Sequence, residues 1–151
     1  MEEIVRVART GASVFISGIS LFGVYKTLLV SPRYEYEFTD GNHREMLERG
    51  IHRASWHGEP TTFPDAWFCT PEQLRALGES HGLTTIEMAA LEGLSSHHRE
   101  ATERLSRNDE AWRIWMDILI RTSNEPSILG SSEHILYIGS KAQSGGGGRV
   151  R

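Results

Sequence analysis

Cysteine is almost missing from this 151-residue chain; Cys69 is the only one. An internal disulfide is thereby excluded, and the usage suits a reducing, cytoplasmic setting. No histidine lies at a recognisable partner spacing for a Cys–His pair, so Cys69 reads as a small buried apolar side chain. Excess positive charge is also lacking: 16 Lys and Arg against 20 Asp and Glu leave a net charge of −4. Without a broad positive field, nucleic acid is set aside as a partner. The N-terminal stretch MEEIVRVARTG carries both signs of charge and has no apolar leader region.

Long hydrophobic runs are scarce. The one window of span length, Gly11 to Val30, has a single charge at Lys26 but also three glycines and several serines. A lysine inside a span costs about 2.5–3.5 kcal/mol. The window also divides at Gly18–Ser20 into a strand and a helix, and no membrane partner is expected. Hydrophobic residues make up 38% and charged residues 24%, lean for a compact domain but too apolar for a disordered one.

What is present has a clear order. Ile4, Val5 and Ala8 fall at helical spacing, so Glu2–Arg9 reads as the end of a helix, with the chain beginning inside an element, and Gly11 suits its C-terminal cap. Ser13–Ile19, with consecutive Val14, Phe15 and Ile16, predicts a buried strand. Leu21–Val30 resumes helical spacing up to Ser31–Pro32, and His43–Arg49 predicts a short helix closed by Gly50. Tyr34, Tyr36 and Phe38 alternate with Glu35 and Glu37 as a short edge strand or extended loop. Ile51–Ala66 is rich in turn formers and aperiodic, as functional loops often are.

Thr70, Pro71 and Gln73 spell a capping box, and Gly82 stops the helix it opens. Leu83–Met88 alternates as a strand. Glu100–Leu105 is weakly helical. Asn108 caps a helix to about Thr122, whose stripe of Trp112, Trp115, Met116 and Leu119 predicts core packing. Pro126 and Gly130 mark a loop, and His134–Ile138 is the last strand. The order is that of an α/β fold, with about three strands flanked by helices. Residues 1–142 form one unit, with a helical insert near 21–66, and 143–151 form a flexible glycine-rich tail.

Three phrases in this order resemble the second half of class I S-adenosylmethionine-dependent methyltransferases: EEIVRVARTGASVFIS, WFCTPEQLRALGESHGLTTIEMAALEGL and SNEPSILGSSEHILYIGSKA. The resemblance covers Glu2 to Ala142. Thr10 and Ala12 stand where the family often has the proline and second glycine of a Pro-Gly-Gly turn. It implies a partial Rossmann-like sheet whose last strand is antiparallel and inserts between the other two. It also implies a small-molecule methyl acceptor.

The family's cofactor lies over a glycine-rich turn with an acidic residue ending the next strand. This sequence has no usable G-x-G-x-x-G; its one dense glycine run, Gly145–Gly148, follows no strand. No cofactor residue carries over, and the isolated chain is not expected to bind S-adenosylmethionine. The first strand would keep a bare edge, so the expected partner is a missing cofactor-binding half or a second copy of the chain. The function so implied is a truncated methyltransferase, catalytic only when joined to that half. The alternative is a non-catalytic module that associates through the open sheet edge.

In the resembling family the insert between these strands often shapes the acceptor pocket. His52, Arg53, Trp56 and Trp67, around the aperiodic loop, are the substrate-facing candidates. The bland alternative is a loop pinned by aromatic anchors. No catalytic residue and no metal ligand is assigned. Seven histidines are present, but none approaches a four-ligand zinc pattern, and His97 and His98, being adjacent, should diverge. No nucleophile-elbow signature is found.

Overall fold

The computed structural model describes residues 1–30, 40–54 and 64–142. In chain order these form α1 (Glu2–Val7), β1 (Ser13–Ile19), α2 (Leu21–Leu29), α3 (Asp40–Arg49), β2 (Ile51–His52), β3 (Ala66–Trp67) and α4 (Pro71–Ser80). There follow β4 (Leu83–Ala90), a 3-10 turn at Gly93–Ser95, α5 (Arg99–Leu105), α6 (Asp109–Thr122), α7 (Pro126–Leu129) and β5 (His134–Lys141). The Tyr34–Phe38 segment, Trp56 and the glycine-rich tail lie outside the described residues.

The fold is α/β. Its main sheet has the order β1-β5-β4, with β5 antiparallel to both neighbours. Ser13 pairs with Ser140 and Ile19 with His134 on one side of β5; Leu83 pairs with Lys141 and Ala90 with Ile135 on the other. β1 and β4 therefore run parallel without touching. The expected three strands are all present, the last two extending two or three residues further than their apolar runs. A register shift between Thr85 and Glu87 accommodates a bulge in β4.

Alternation sets the two faces. Val14, Met88, Ile135 and Tyr137 are buried and form one cluster with Leu74 of α4, against which Val5 and Ala8 at the α1 end also pack. The capping box that starts α4 is complete: Thr70 Oγ1 accepts from Gln73 N at 3.3 Å, and Gln73 Oε1 accepts from Thr70 N at 2.9 Å. A smaller cluster joins Leu21, Val24 and Leu28 of α2 to Met46 of α3 and Phe68. Between α3 and β2, Gly50 has φ +71°, and a Cβ there would collide with the Phe68 carbonyl, so only glycine fits.

The opposite face of the sheet is open. Phe15 is 63% exposed and Ile86 55%. Phe15 lies opposite Ile138, which lies opposite Glu87, so the three share this face. Among the described residues the outer edge of β1 is joined only at its carboxyl end, where Cys69 N donates to Ile19 O and Cys69 O accepts from Leu21 N. Among the described residues no strand pairs with the remainder of that edge.

Gly11 to Val30 divides as the sequence suggests. Ser20 ends the strand and caps α2, its Oγ accepting from Gly23 N and donating to Gly130 O. Among the described residues, no helix is long and apolar enough to cross a membrane. Three elements differ from expectation. β1, expected to be buried on both faces, is buried on one and exposes Phe15 on the other. The Pro126 loop contains a short helix with proline in its first turn. The α6 stripe is not core, since no residue of α6 is fully buried. The helix lies against the 3-10 turn rather than across the sheet, and leaves Ile114, Ile118 and Ile120 exposed.

Candidate functional site

Because β1 and β4 are parallel, their carboxyl ends meet the start of β5 at one end of the sheet. Open α/β sheets bind ligands at that end. Two turns converge there. Leu91 N donates to His134 O at 3.1 Å, and Ser20 N donates to Glu133 O at 2.9 Å, so β5 holds both turns in place.

Ser132, fully buried, is the hinge pin of the arrangement. Its Oγ accepts from the backbone N–H of Gly93 at 3.1 Å and donates to Glu92 Oε2 at 2.9 Å. The same carboxylate oxygen accepts from His134 N at 2.8 Å, and Oε1 lies 2.8 Å from His134 Nδ1. Burial acts to raise the Glu92 carboxyl. The hydrogen bonds from His134, through both backbone and ring, and from Ser132 together outweigh it and hold the group below the usual carboxylate range. With that carboxylate ionised, the network assigns a proton to Nδ1 of His134.

A second histidine–carboxylate pair stands beside the first. Glu133 Oε1 accepts from His97 N at 3.0 Å and lies 3.2 Å from His97 Nδ1. His97 has φ +63°, an uncommon conformation for a residue with a side chain. Its Nε2 is buried and has no hydrogen-bond partner among the described residues, and the same holds for Ser96 Oγ. Glu92, Glu133 and His134 each offer one ligand atom, all within 4.8 Å of one another. An open cavity of about 620 Å³ adjoins them, lined by Glu92, His97, Arg99, Thr102, Trp112 and Glu133 among others. Trp115, one turn further along α6, donates from Nε1 to Ser95 Oγ at 2.9 Å and so fixes α6 to the turn after β4.

The residues singled out from sequence lie elsewhere. His52 is 2% exposed, with Nδ1 3.0 Å from Pro64 O and its ring 5.9 Å from that of Phe68. Arg53 is exposed, and Trp67, on β3, is 42% exposed. These three surround the β2–β3 pair, and none lines the cavity described above. Trp56 lies outside the described residues. The Glu92, Glu133 and His134 group had no local signature, because its two turns are brought together only by the pairing of β4 with β5. His97 faces Glu133, and His98 is the residue before α5; both line a second, smaller cavity with Arg99 and Arg104. Comparison with protein-family models and with curated proteins finds no match for this chain.

Proposed function

We propose that the chain is the acceptor-side half of a class I S-adenosylmethionine-dependent methyltransferase, transferring a methyl group to a small-molecule acceptor once joined to a cofactor-binding half. The observation that carries this reading is the strand order β1-β5-β4 with the final strand antiparallel and central, the order that the sequence resemblance implies. Two further features support it. The open edge of β1 and the exposed Phe15 and Ile86 provide the side on which further strands and helices would pack. The cavity at the carboxyl ends of β1 and β4 has the size of a small-molecule site.

The described residues do not fit the cofactor itself. β1 passes into α2 through Ser20, and β4 into Leu91–Glu92–Gly93, with no glycine-rich turn at either place. The reading therefore gives the cofactor to the other half. The test is to express the chain together with whatever is encoded immediately before Met1 and to titrate both forms with S-adenosylmethionine by calorimetry. Binding by the longer product and none by the 151 residues supports the reading. Failure of the longer product to bind overturns it and favours a non-catalytic module that associates through the β1 edge.

A further inference from the structure

We propose that Glu92, Glu133 and His134 form a binding site for one first-row divalent transition-metal ion beside the cavity that Arg99 and Trp112 line. One oxygen from each carboxylate and His134 Nδ1 lie within 4.8 Å of one another. Metal bonds to such atoms are about 2.0–2.2 Å, which sets tetrahedral ligand atoms roughly 3.3–3.6 Å apart, so side-chain shifts of up to about 1 Å close the set around an ion. The ion takes the place of the proton between His134 Nδ1 and Glu92 Oε1, leaving the ring proton on Nε2.

The ligands are already oriented by groups behind them. Ser132 Oγ and His134 N hold Glu92 Oε2, which leaves Oε1 for the ion, and His97 N holds Glu133. Such outer partners are what fix metal ligands in direction. His97 backs Glu133 through its ring as well, with Nδ1 3.2 Å from Glu133 Oε1. Two carboxylates, an imidazole and no thiolate suit Mn²⁺, Co²⁺ or Zn²⁺ better than Mg²⁺, which prefers oxygen and retained water. Three protein ligands leave coordination positions open toward the cavity, as sites that also bind a substrate do.

Titration of the purified chain with Co²⁺, followed by its visible d–d absorption, and with Zn²⁺, followed by calorimetry, tests the site. One ion per chain is expected, with Mg²⁺ binding far more weakly. Glu133→Gln and His134→Gln should weaken Co²⁺ and Zn²⁺ at least about tenfold, while Glu103→Gln, at the cavity but outside the set, should not. Glu133→Gln is the decisive variant because it leaves the Glu92–Ser132 bonds in place; circular dichroism establishes that it folds. Zn²⁺ should raise the Tm of the parent chain and not of this variant. Absence of saturable binding, or binding unchanged by both ligand substitutions and so due to other histidines, overturns the proposal. Neither result bears on the methyltransferase reading, which rests on strand order.

Discussion

The Tyr137 ring lies directly over Gly78. A Cβ built on Gly78 would stand 2.5 Å from Tyr137 Cζ, and Tyr137 is fully buried. The tyrosine hydroxyl in turn accepts from Thr85 Oγ1 at 3.3 Å, so the ring is held by the sheet on one side and the helix on the other. Gly78→Ala gains about 1 kcal/mol of helix propensity. The overpacking it causes costs typically about 1–3 kcal/mol, because a buried aromatic ring cannot swing aside. The variant should be less stable on balance, with a Tm a few degrees lower in thermal unfolding.

Thr70→Ala removes the hydroxyl that accepts from Gln73 N and so opens one half of the capping box, while Gln73 Oε1 keeps the backbone N–H of residue 70. A loss of about 0.5–2 kcal/mol is expected. Equilibrium urea unfolding should show a lower midpoint with an unchanged slope, since the surface exposed on unfolding does not change.

Glu92 makes stability depend on acid. Its carboxyl is held below the usual range in the folded chain, so the folded state favours the ionised form. That contribution is present above the group's unfolded value and disappears as pH falls through the lower, folded value. Urea midpoints measured from neutral to about pH 3 should fall more steeply for the parent chain than for Glu92→Gln. The variant should be the weaker of the two at neutral pH, and the gap should narrow with acid.

Cys69 is fully buried, and burial pushes its thiol up to about 11. The thiolate is the reactive form, so a disulfide reagent near neutral pH should not label the folded chain. Labelling should become stoichiometric in urea. Fast labelling of the native chain would show that the segment between β3 and α4 opens readily.

Phe15 sits on the open face of an edge strand. Exposed apolar edges template association. The chain by itself should therefore self-associate in sedimentation experiments, and Phe15→Lys should reduce its association. A monodisperse monomer with cooperative unfolding would mean that this face is covered from within the chain.

The three long strands and the α4 cap are legible in sequence because their signals are local. Val14, Phe15 and Ile16 are contiguous, Thr70 and Gln73 are three apart, and the glycines at 11 and 82 take positive φ where a helix must stop. The candidate site was not legible in this way. Glu92 and His134 meet only because Ala90 pairs with Ile135, and no periodicity encodes that pairing. The α6 stripe misleads for a related reason. Trp112 and Trp115 have the spacing of a core helix, yet the 3-10 turn sets α6 beside the site, where Trp112 lines the cavity and Trp115 serves as an anchor. His52 is a converse case. A histidine within an irregular loop suggests ligand contact, but Phe68 and Pro64 enclose it.

The central place of β5 has a consequence for how the chain is made. β1 and β4 never touch, and each has β5 as its neighbour in the main sheet. During synthesis Ser13 must wait for Ser140, and Ala90 for Ile135, so no strand pair of that sheet can form until β5 has left the ribosome. Such distant pairings fold slowly, because the chain must close a long loop before any contact rewards it. Val14, Phe15 and Ile16 are then the segment exposed longest to chaperones and to other nascent chains. A ribosome stalled before His134 would display α4 and its neighbours without the main sheet beneath them, a natural target for cellular quality control.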